Sequence, residues 1–276
     1  MGGTGTVLDE IIRGVREDID DRIRAVSRAQ IQRDAVSVPA ARDAHQALVN
    51  GRNDPTGVRI IAEIKRASPS AGSLAEIPAV AELATRYQNG GAAVISVLTE
   101  QRRFRGSLAD LDAVRAAVDV PVLRKDFTVD EYQIYEARAH GADLILLIVA
   151  ALDDAQLKDF IDLTHELGMN ALVETHTVDE IQRAYDIAPK IVGLNVRNLK
   201  TLEVNRTHYA ELAQHLPEHV VRVAESGVTG PEHVADYARH GADAVLVGEA
   251  LVKHGTPADA IRDFRATSVS GERTDS

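Results

Sequence analysis

The chain has 276 residues, 45% of them hydrophobic, enough to fill one α/β barrel with an extension, and no break in composition marks a second domain. A formal net charge of −11 and a pI near 5.4 argue against nucleic acid or an anionic membrane as the main partner, though a local basic site for a phosphorylated metabolite fits both values. The absence of cysteine removes disulfides, thiolate nucleophiles and cysteine metal sites together.

The first residues, Gly-Gly-Thr-Gly-Thr, lack a signal-peptide core. No apolar run approaches the roughly 18 residues of a membrane span, so a cytoplasmic setting is expected. Val7, Leu8, Ile11, Ile12, Val15, Ile19, Ile23 and Val26 trace a helical stripe, which predicts one extra helix packed on the domain that follows.

From Val58 onward, apolar strand patterns near 58–65, 92–98, 120–125, 143–149, 170–174, 190–196, 220–225 and 243–248 recur at regular intervals. Helix patterns lie between them near 78–89, 107–118, 130–139, 153–167, 177–188, 206–215, 230–240 and 256–265. Ser107, Asp130, Asp153, Thr177 and the Gly230-Pro231 pair are suited to helix starts. Gly141-Ala142-Asp143 and Gly241-Ala242-Asp243, with the similar Gly90-Gly91-Ala92 and Gly168-Met169-Asn170, place glycine where a helix stops and a strand begins. Leu144 to Val149 is apolar on both faces, as in a parallel strand covered on each side. Eight such units, with no Gly-x-Gly-x-x-Gly after the first strand, predict a single (β/α)8 TIM barrel over 51–265. An N-terminal helical extension over 1–50 and a polar, disordered tail over 266–276 complete the expected organisation.

Charges gather at the ends of these strands. Side chains two apart in a strand share a face, so Glu63 and Lys65 point with Ile61, Lys125 with Leu123, Glu174 with Leu172, Asn195 and Arg197 with Gly193, and Glu225 with Val223. If the apolar members line the barrel interior, the polar members surround its C-terminal mouth, where barrel active sites form. Ion pairs plugging the barrel are the structural alternative for any one residue, but they are a poor account of Glu63, Lys65, Lys125, Glu174, Asn195 and Glu225 together. Arg124 and Asp126 alternate to the opposite face and read as supporting residues or outer-surface charges. Phe104 and Phe127 each follow a strand end in a chain only 4% aromatic, a placement that suits substrate-ring packing and core packing equally. Ser226 and Gly227 after the seventh strand, and Gly248 and Glu249 after the eighth, occupy the positions where barrels commonly bind phosphate. His215 and His219 have i,i+4 spacing but are interrupted by Pro217, and no metal site is expected.

These motifs, Ile61 to Ser70, Leu123 to Phe127, Ala171 to Glu174, Gly193 to Leu199 and Ala224 to Gly227, closely resemble the indole-3-glycerol-phosphate synthase family of tryptophan biosynthesis. The resemblance covers roughly 58–252, with the motifs in order and correctly spaced, while the N-terminal 50 residues match loosely. It implies a (β/α)8 barrel that converts 1-(2-carboxyphenylamino)-1-deoxyribulose 5-phosphate into indole-3-glycerol phosphate, with release of carbon dioxide and water and without metal or organic cofactor. Carried over by position, it makes Lys125 the general acid, Glu174 a proton carrier in dehydration, and Lys65, set by Glu63, the anchor of the anthranilate carboxylate. Asn195 and Glu225 bind sugar hydroxyls on the same basis. Arg197, Ser226, Gly227, Gly248 and Glu249 surround the phosphate. Phe104, Phe127, Leu146, Ile148 and Leu199 pack the aromatic ring, and Ser68 also belongs to the implied substrate site. A second lysine nearby and partial burial are expected to bring the lysine acid down toward neutral pKa.

The partner expected is therefore a small phosphorylated metabolite, bound by a monomer of one activity, with other tryptophan-pathway enzymes as further candidates. Two rivals remain at the level of sequence. Phosphoribosylanthranilate isomerase is another phosphate-binding barrel, but its relatives use a cysteine base and this chain has no cysteine. A catalytically idle, phosphometabolite-binding barrel predicts erosion of acid and base positions that are all present.

Overall fold

A computed structural model of the chain describes residues 6–49, 51–68, 72, 73, 77, 79–198, 201–253 and 256–270. The eight apolar runs form parallel strands β1 (Arg59–Ile64), β2 (Val94–Leu98), β3 (Val122–Lys125), β4 (Leu144–Ile148), β5 (Asn170–Thr175), β6 (Ile191–Asn195), β7 (Val221–Glu225) and β8 (Ala244–Val247). Each pairs with its neighbour in sequence, and β8 returns to β1 in the register Arg59↔Ala244 to Ala62↔Val247, which closes the barrel. Closure leaves no open sheet edge. A separate antiparallel ribbon joins Ala67–Ser68 to Gly72–Ser73. Its two-residue strands are too short to leave a periodic signal in the sequence.

The helices are α1 (Val7–Ala25), α2 (Arg28–Ser37), α3 (Ala44–Leu48), α4 (Val80–Asn89), α5 (Leu108–Ala117) and α6 (Glu131–Ala139), followed by α7 (Asp154–Glu166), α8 (Val178–Tyr185), α9 (His208–Ala213), α10 (Pro231–Arg239), α11 (Glu249–Lys253) and α12 (Pro257–Ser270). Ser107, Asp130, Asp153 and Thr177 cap their helices, accepting backbone N–H groups of Asp110, Tyr132, Gln156 and Glu180. Gly141, Gly168 and Gly241 take positive φ just past a helix, the backbone state that a side chain resists.

The inner core is the predicted strand face. Ile61, Val94, Leu123, Leu144, Leu172, Ile191, Val223 and Leu246 form one buried cluster inside the ring. The other strand face packs against the helices in a larger shell that includes Ile60, Ile95, Leu147, Val173, Val192 and Val245.

The extension differs from the single helix expected. Ser27 and Asp43 each accept a backbone N–H from the third residue beyond them, so each starts a new helix and the segment folds as α1, α2 and α3. Ala44 and Leu48 of α3 are fully buried in the inner core cluster and close the N-terminal end of the barrel. Residues that follow the glycine stops pin this crossing: Asp143 accepts the N–H of Arg42 at 2.8 Å, and Asn170 Oδ1 accepts those of Ala44 at 2.8 Å and His45 at 3.1 Å. Asp243 accepts the N–H and Nε of Arg52 at 3.2 and 2.9 Å.

The tail expected from residue 266 also needs correction. α12 runs to Ser270, because Ser268 Oγ accepts the N–H of Val58 at 3.1 Å and ties the last turns to the start of β1. Residues 271–276 lie outside the described residues.

Truncating the plug tests this account. Leu48→Ala should cost about 2–5 kcal/mol, the range for a buried leucine, and Asn170→Ala about 1–3 kcal/mol, the cost of stranding partly buried N–H groups. Urea denaturation reads both; a Leu48→Ala loss under about 0.5 kcal/mol would remove α3 from the folded core.

Candidate active site

Strand alternation delivers the predicted groups to one place. Glu63, Lys65, Lys125, Glu174, Asn195 and Glu225 all line a cavity of about 210 Å³ at the C-terminal mouth. Phe104, Phe127, Leu146 and Ile148 form apolar wall, and Arg197, Ser226, Gly227, Gly248 and Glu249 complete the β6, β7 and β8 side. The Ser68 side chain and the whole of Leu199 lie outside what the structure describes. Val7, Leu8 and Ile11 of α1 also line the cavity, a contribution not assigned from sequence. Their i, i+1, i+4 spacing was the available signal, but nothing in it says which part of the barrel the stripe covers.

Lys125 Nζ lies 3.2 Å from Glu225 Oε2 and 3.7 Å from Glu174 Oε2, while Lys65 Nζ lies 2.6 Å from Glu63 Oε1. Burial alone would lower the Lys125 pKa, but Glu225, Glu174 and Glu63 outweigh it and raise the ammonium above the ordinary lysine value. The site thus departs from the expected fall toward neutrality, because the surrounding carboxylates raise Lys125 instead. Burial pushes Glu63 up, and Lys65 and Lys125 together hold it below the usual carboxylate range.

The two acids beside Lys125 differ. Both are pushed up by burial, but Glu174 also has the His176 ring and the Asn195 side chain as hydrogen-bonding partners and is lowered to about 2. Glu225 has Lys125 as its favourable charge, faces Glu174, and is raised to about 8. Where two carboxyls share one cation, the one with fewer donors keeps the proton.

Small residues make room for this cluster. Gly193 sits beside Glu174 in register, and a Cβ there would land on Glu225 Oε1. At Gly248, a Cβ would come 3.0 Å from Glu63 Oε1, so any side chain there would press on the Glu63–Lys65 pair. Asn195 Oδ1 accepts the Ser226 hydroxyl at 2.8 Å and the Arg197 N–H at 3.1 Å, which fixes its amide toward Glu174. Ser226 and Gly227 both have positive φ, 73° and 78°, so the chain turns sharply at the end of β7.

Phe104 and Phe127 face each other at 6.1 Å between ring centres, across the same cavity they line. Arg124 and Asp126 are not outer-surface charges. Arg124 is buried beneath α6, 3.0 Å from Asp126 Oδ2 and 2.9 Å from Glu136 Oε2, and Thr99 donates to Asp126 at 2.6 Å. A buried guanidinium needs such partners on every side, which is why the opposite face of β3 carries charge at all.

A closed parallel barrel with lysines and carboxylates converging at its C-terminal mouth defines an acid–base enzyme of the (β/α)8 class. Residues 8–264 match the family model described as indole-3-glycerol phosphate synthase, and the chain belongs to that family. It is 63% identical to the indole-3-glycerol phosphate synthase of Micrococcus luteus over 96% of this chain and 99% of that one. Identity to the same enzyme of Paenarthrobacter aurescens is 60%, over 96% and 97%. Among solved structures, 3-hexulose-6-phosphate synthase from Salmonella typhimurium superposes with a TM-score of 0.62 at 14% identity, covering 76% of this chain and 98% of that one. Thiamine phosphate pyrophosphorylase from Pyrococcus furiosus gives 0.58 at 15%, covering 80% and 100%. Those two likenesses show the barrel fold. The isomerase rival gives way to the family match, and the idle-barrel rival lacks the erosion it predicts.

Glu225 makes stability depend on pH in a definite direction. In the unfolded chain it releases its proton near the ordinary glutamate value, but in the folded site it keeps it to about pH 8. Between those limits the folded state holds the extra proton, so this group's contribution falls as pH rises. Glu225→Gln removes that loss, and its melting temperature relative to the unsubstituted protein should climb through this window. A difference that stays flat would show that the proton is held elsewhere.

Proposed function

We propose that this mouth performs its family's reaction, closing the indole ring of 1-(2-carboxyphenylamino)-1-deoxyribulose 5-phosphate with loss of carbon dioxide and water. The observation that carries the reading is Lys125 set between Glu225 and Glu174, with the Lys65–Glu63 pair in the same cavity.

The first step needs a proton at the ribulose carbonyl oxygen while the carboxyl-bearing ring carbon attacks the carbonyl carbon. Lys125 enters as the ammonium its carboxylate neighbours maintain, the state that donates. Lys65 pairs with the substrate carboxylate and orients the ring until carbon dioxide leaves and aromaticity returns. Phe104, Phe127, Leu146 and Ile148 give that ring an apolar wall. Dehydration then removes the new hydroxyl with a proton and takes a neighbouring ring proton. Glu174, held as the carboxylate, is suited to receive one.

The phosphate belongs on the β6–β8 side, beside Arg197, Ser226, Gly227, Gly248 and Glu249. Asn195 and Glu225 offer hydrogen-bonding groups to the sugar hydroxyls between the two ends. The activity itself is tested by adding the substrate to purified protein and following indole fluorescence; no product under conditions where the protein is folded would refute the reading.

Two variants separate the steps. Lys125→Ala should retain the fold and lose at least about 10²-fold in turnover, the lower range for general acid catalysis. Near-normal turnover would remove Lys125 from that role. Glu174→Gln keeps size and hydrogen bonding but loses the proton carrier, so turnover should fall much more than substrate affinity. Rapid-quench sampling should then reveal a decarboxylated, still-hydrated intermediate, whereas loss of condensation would move Glu174 to an earlier step.

A further inference from the structure

β5 ends at Thr175, and His176 begins the turn into α8 on the same strand face as Glu174. Its ring stands between two carboxylates. Nε2 lies 3.3 Å from Glu174 Oε1, and Nδ1 lies 3.1 Å from Glu180 Oε2. Glu180 is fixed in the first turn of α8, where Thr177 accepts its N–H, and its Oε2 also accepts the His176 N–H at 2.7 Å. Nε2 is buried, with Glu174 Oε1 at ion-pair distance and no hydrogen-bond partner of good geometry.

A neutral imidazole offers one N–H and one lone pair, so it cannot donate to carboxylates on both sides; the doubly protonated ring can. We infer that His176 is a positioning residue, held as imidazolium between Glu180 and Glu174, that aims the Glu174 carboxylate into the mouth and keeps it ionised. The inference deepens the proposed role of Glu174 and rests on it.

The charged groups around this ring are Glu174 from β5 and Glu180 from α8; beyond Glu174 stand the Lys125 ammonium from β3 and the neutral Asn195 amide from β6. Burial lowers the histidine, but its hydrogen bonds to the two carboxylates outweigh this and raise it to about 10. The charge on Glu174 is thus maintained from behind by His176 and from in front by Lys125. Only the second of these cations is in the proton-transfer position, so His176 leaves Lys125 free to move its proton without Glu174 losing its last counter-charge.

The test reads the ring directly. In the full-length protein, 15N NMR of His176, assigned by through-bond correlation from its backbone, should show both ring nitrogens protonated at about pH 8, where an ordinary histidine is neutral. A neutral ring there overturns the inference whatever the kinetics show, and the measurement does not require a variant to fold.

Kinetically, His176→Gln keeps a donor but loses the charge. Its kcat should fall about 10-fold or more, with KM changed less, and the acid limb of the pH profile should move up by about one unit. An unmoved acid limb in a folded variant overturns the inference as well. Near-normal turnover in Glu174→Gln would instead refute the role of Glu174, and the NMR result would still decide the state of His176.

Discussion

The ammonium of Lys125 is the charge around which the mouth is arranged. A closed parallel barrel buries its interior, and Ile61, Leu123, Leu172 and Val223 lie one layer below the strand ends. A lone cation or carboxylate above that layer would be held far from water, at a cost of several kcal/mol after relaxation. The charges therefore occur as a matched set. Glu225 and Glu174 flank Lys125, Glu63 pairs with Lys65, and His176 stands behind Glu174. No member can change protonation without shifting its neighbours, which is the condition for passing protons through one substrate in sequence.

The parts legible in the sequence were those that depend on period two and on turn chemistry. Leu123 beside Lys125, or Leu172 beside Glu174, specifies a face without any knowledge of what that face meets. The same arithmetic placed all eight strands and the caps at Ser107, Asp130, Asp153 and Thr177. What the sequence concealed depends on distance along the chain. Arg124 and Asp126 read equally as supporting residues or outer-surface charges because Glu136 and Thr99, which decide between the two, lie on other elements. Lys125 was expected to be a weakened base because the count of lysines was visible and the nearness of three carboxylates was not. His176 carries no periodic signal among ten scattered histidines, although it stands two residues after Glu174 and four before Glu180.

The N-terminal extension shows how one segment serves both ends of the barrel. Val7, Leu8 and Ile11 enclose the mouth, and Ala44 and Leu48 seal the opposite end. Between them α2 lies along α6, with Arg28 donating to both carboxylate oxygens of Asp130 at 2.7 and 2.9 Å. Arg102, in the loop after β2, meets Glu17 and Asp18 of α1 at 2.7 Å each, beside Phe104. The helix over the substrate cavity and the loop bearing an aromatic wall residue are held to one another by charge, while the far end of the segment is fastened by burial.

The floor and the mouth of this barrel obey different symmetries. Gly-Ala-Asp precedes β4 and again precedes β8, half a turn of the ring apart, and each aspartate makes the same contacts: Asp143 accepts the N–H of Arg42 and of Val122, Asp243 those of Arg52 and of Arg222. In both, one partner comes from the chain that leads into β1 and the other from the preceding strand. The lower rim therefore repeats one anchoring contact at two strands on opposite sides of the ring. The upper rim shows no such repetition: Lys125 on β3 meets Glu225 at the end of the opposite strand, β7. Two strands fastened alike at the floor therefore end differently at the mouth, β4 in the apolar wall of Leu146 and Ile148 and β8 at Gly248 and Glu249.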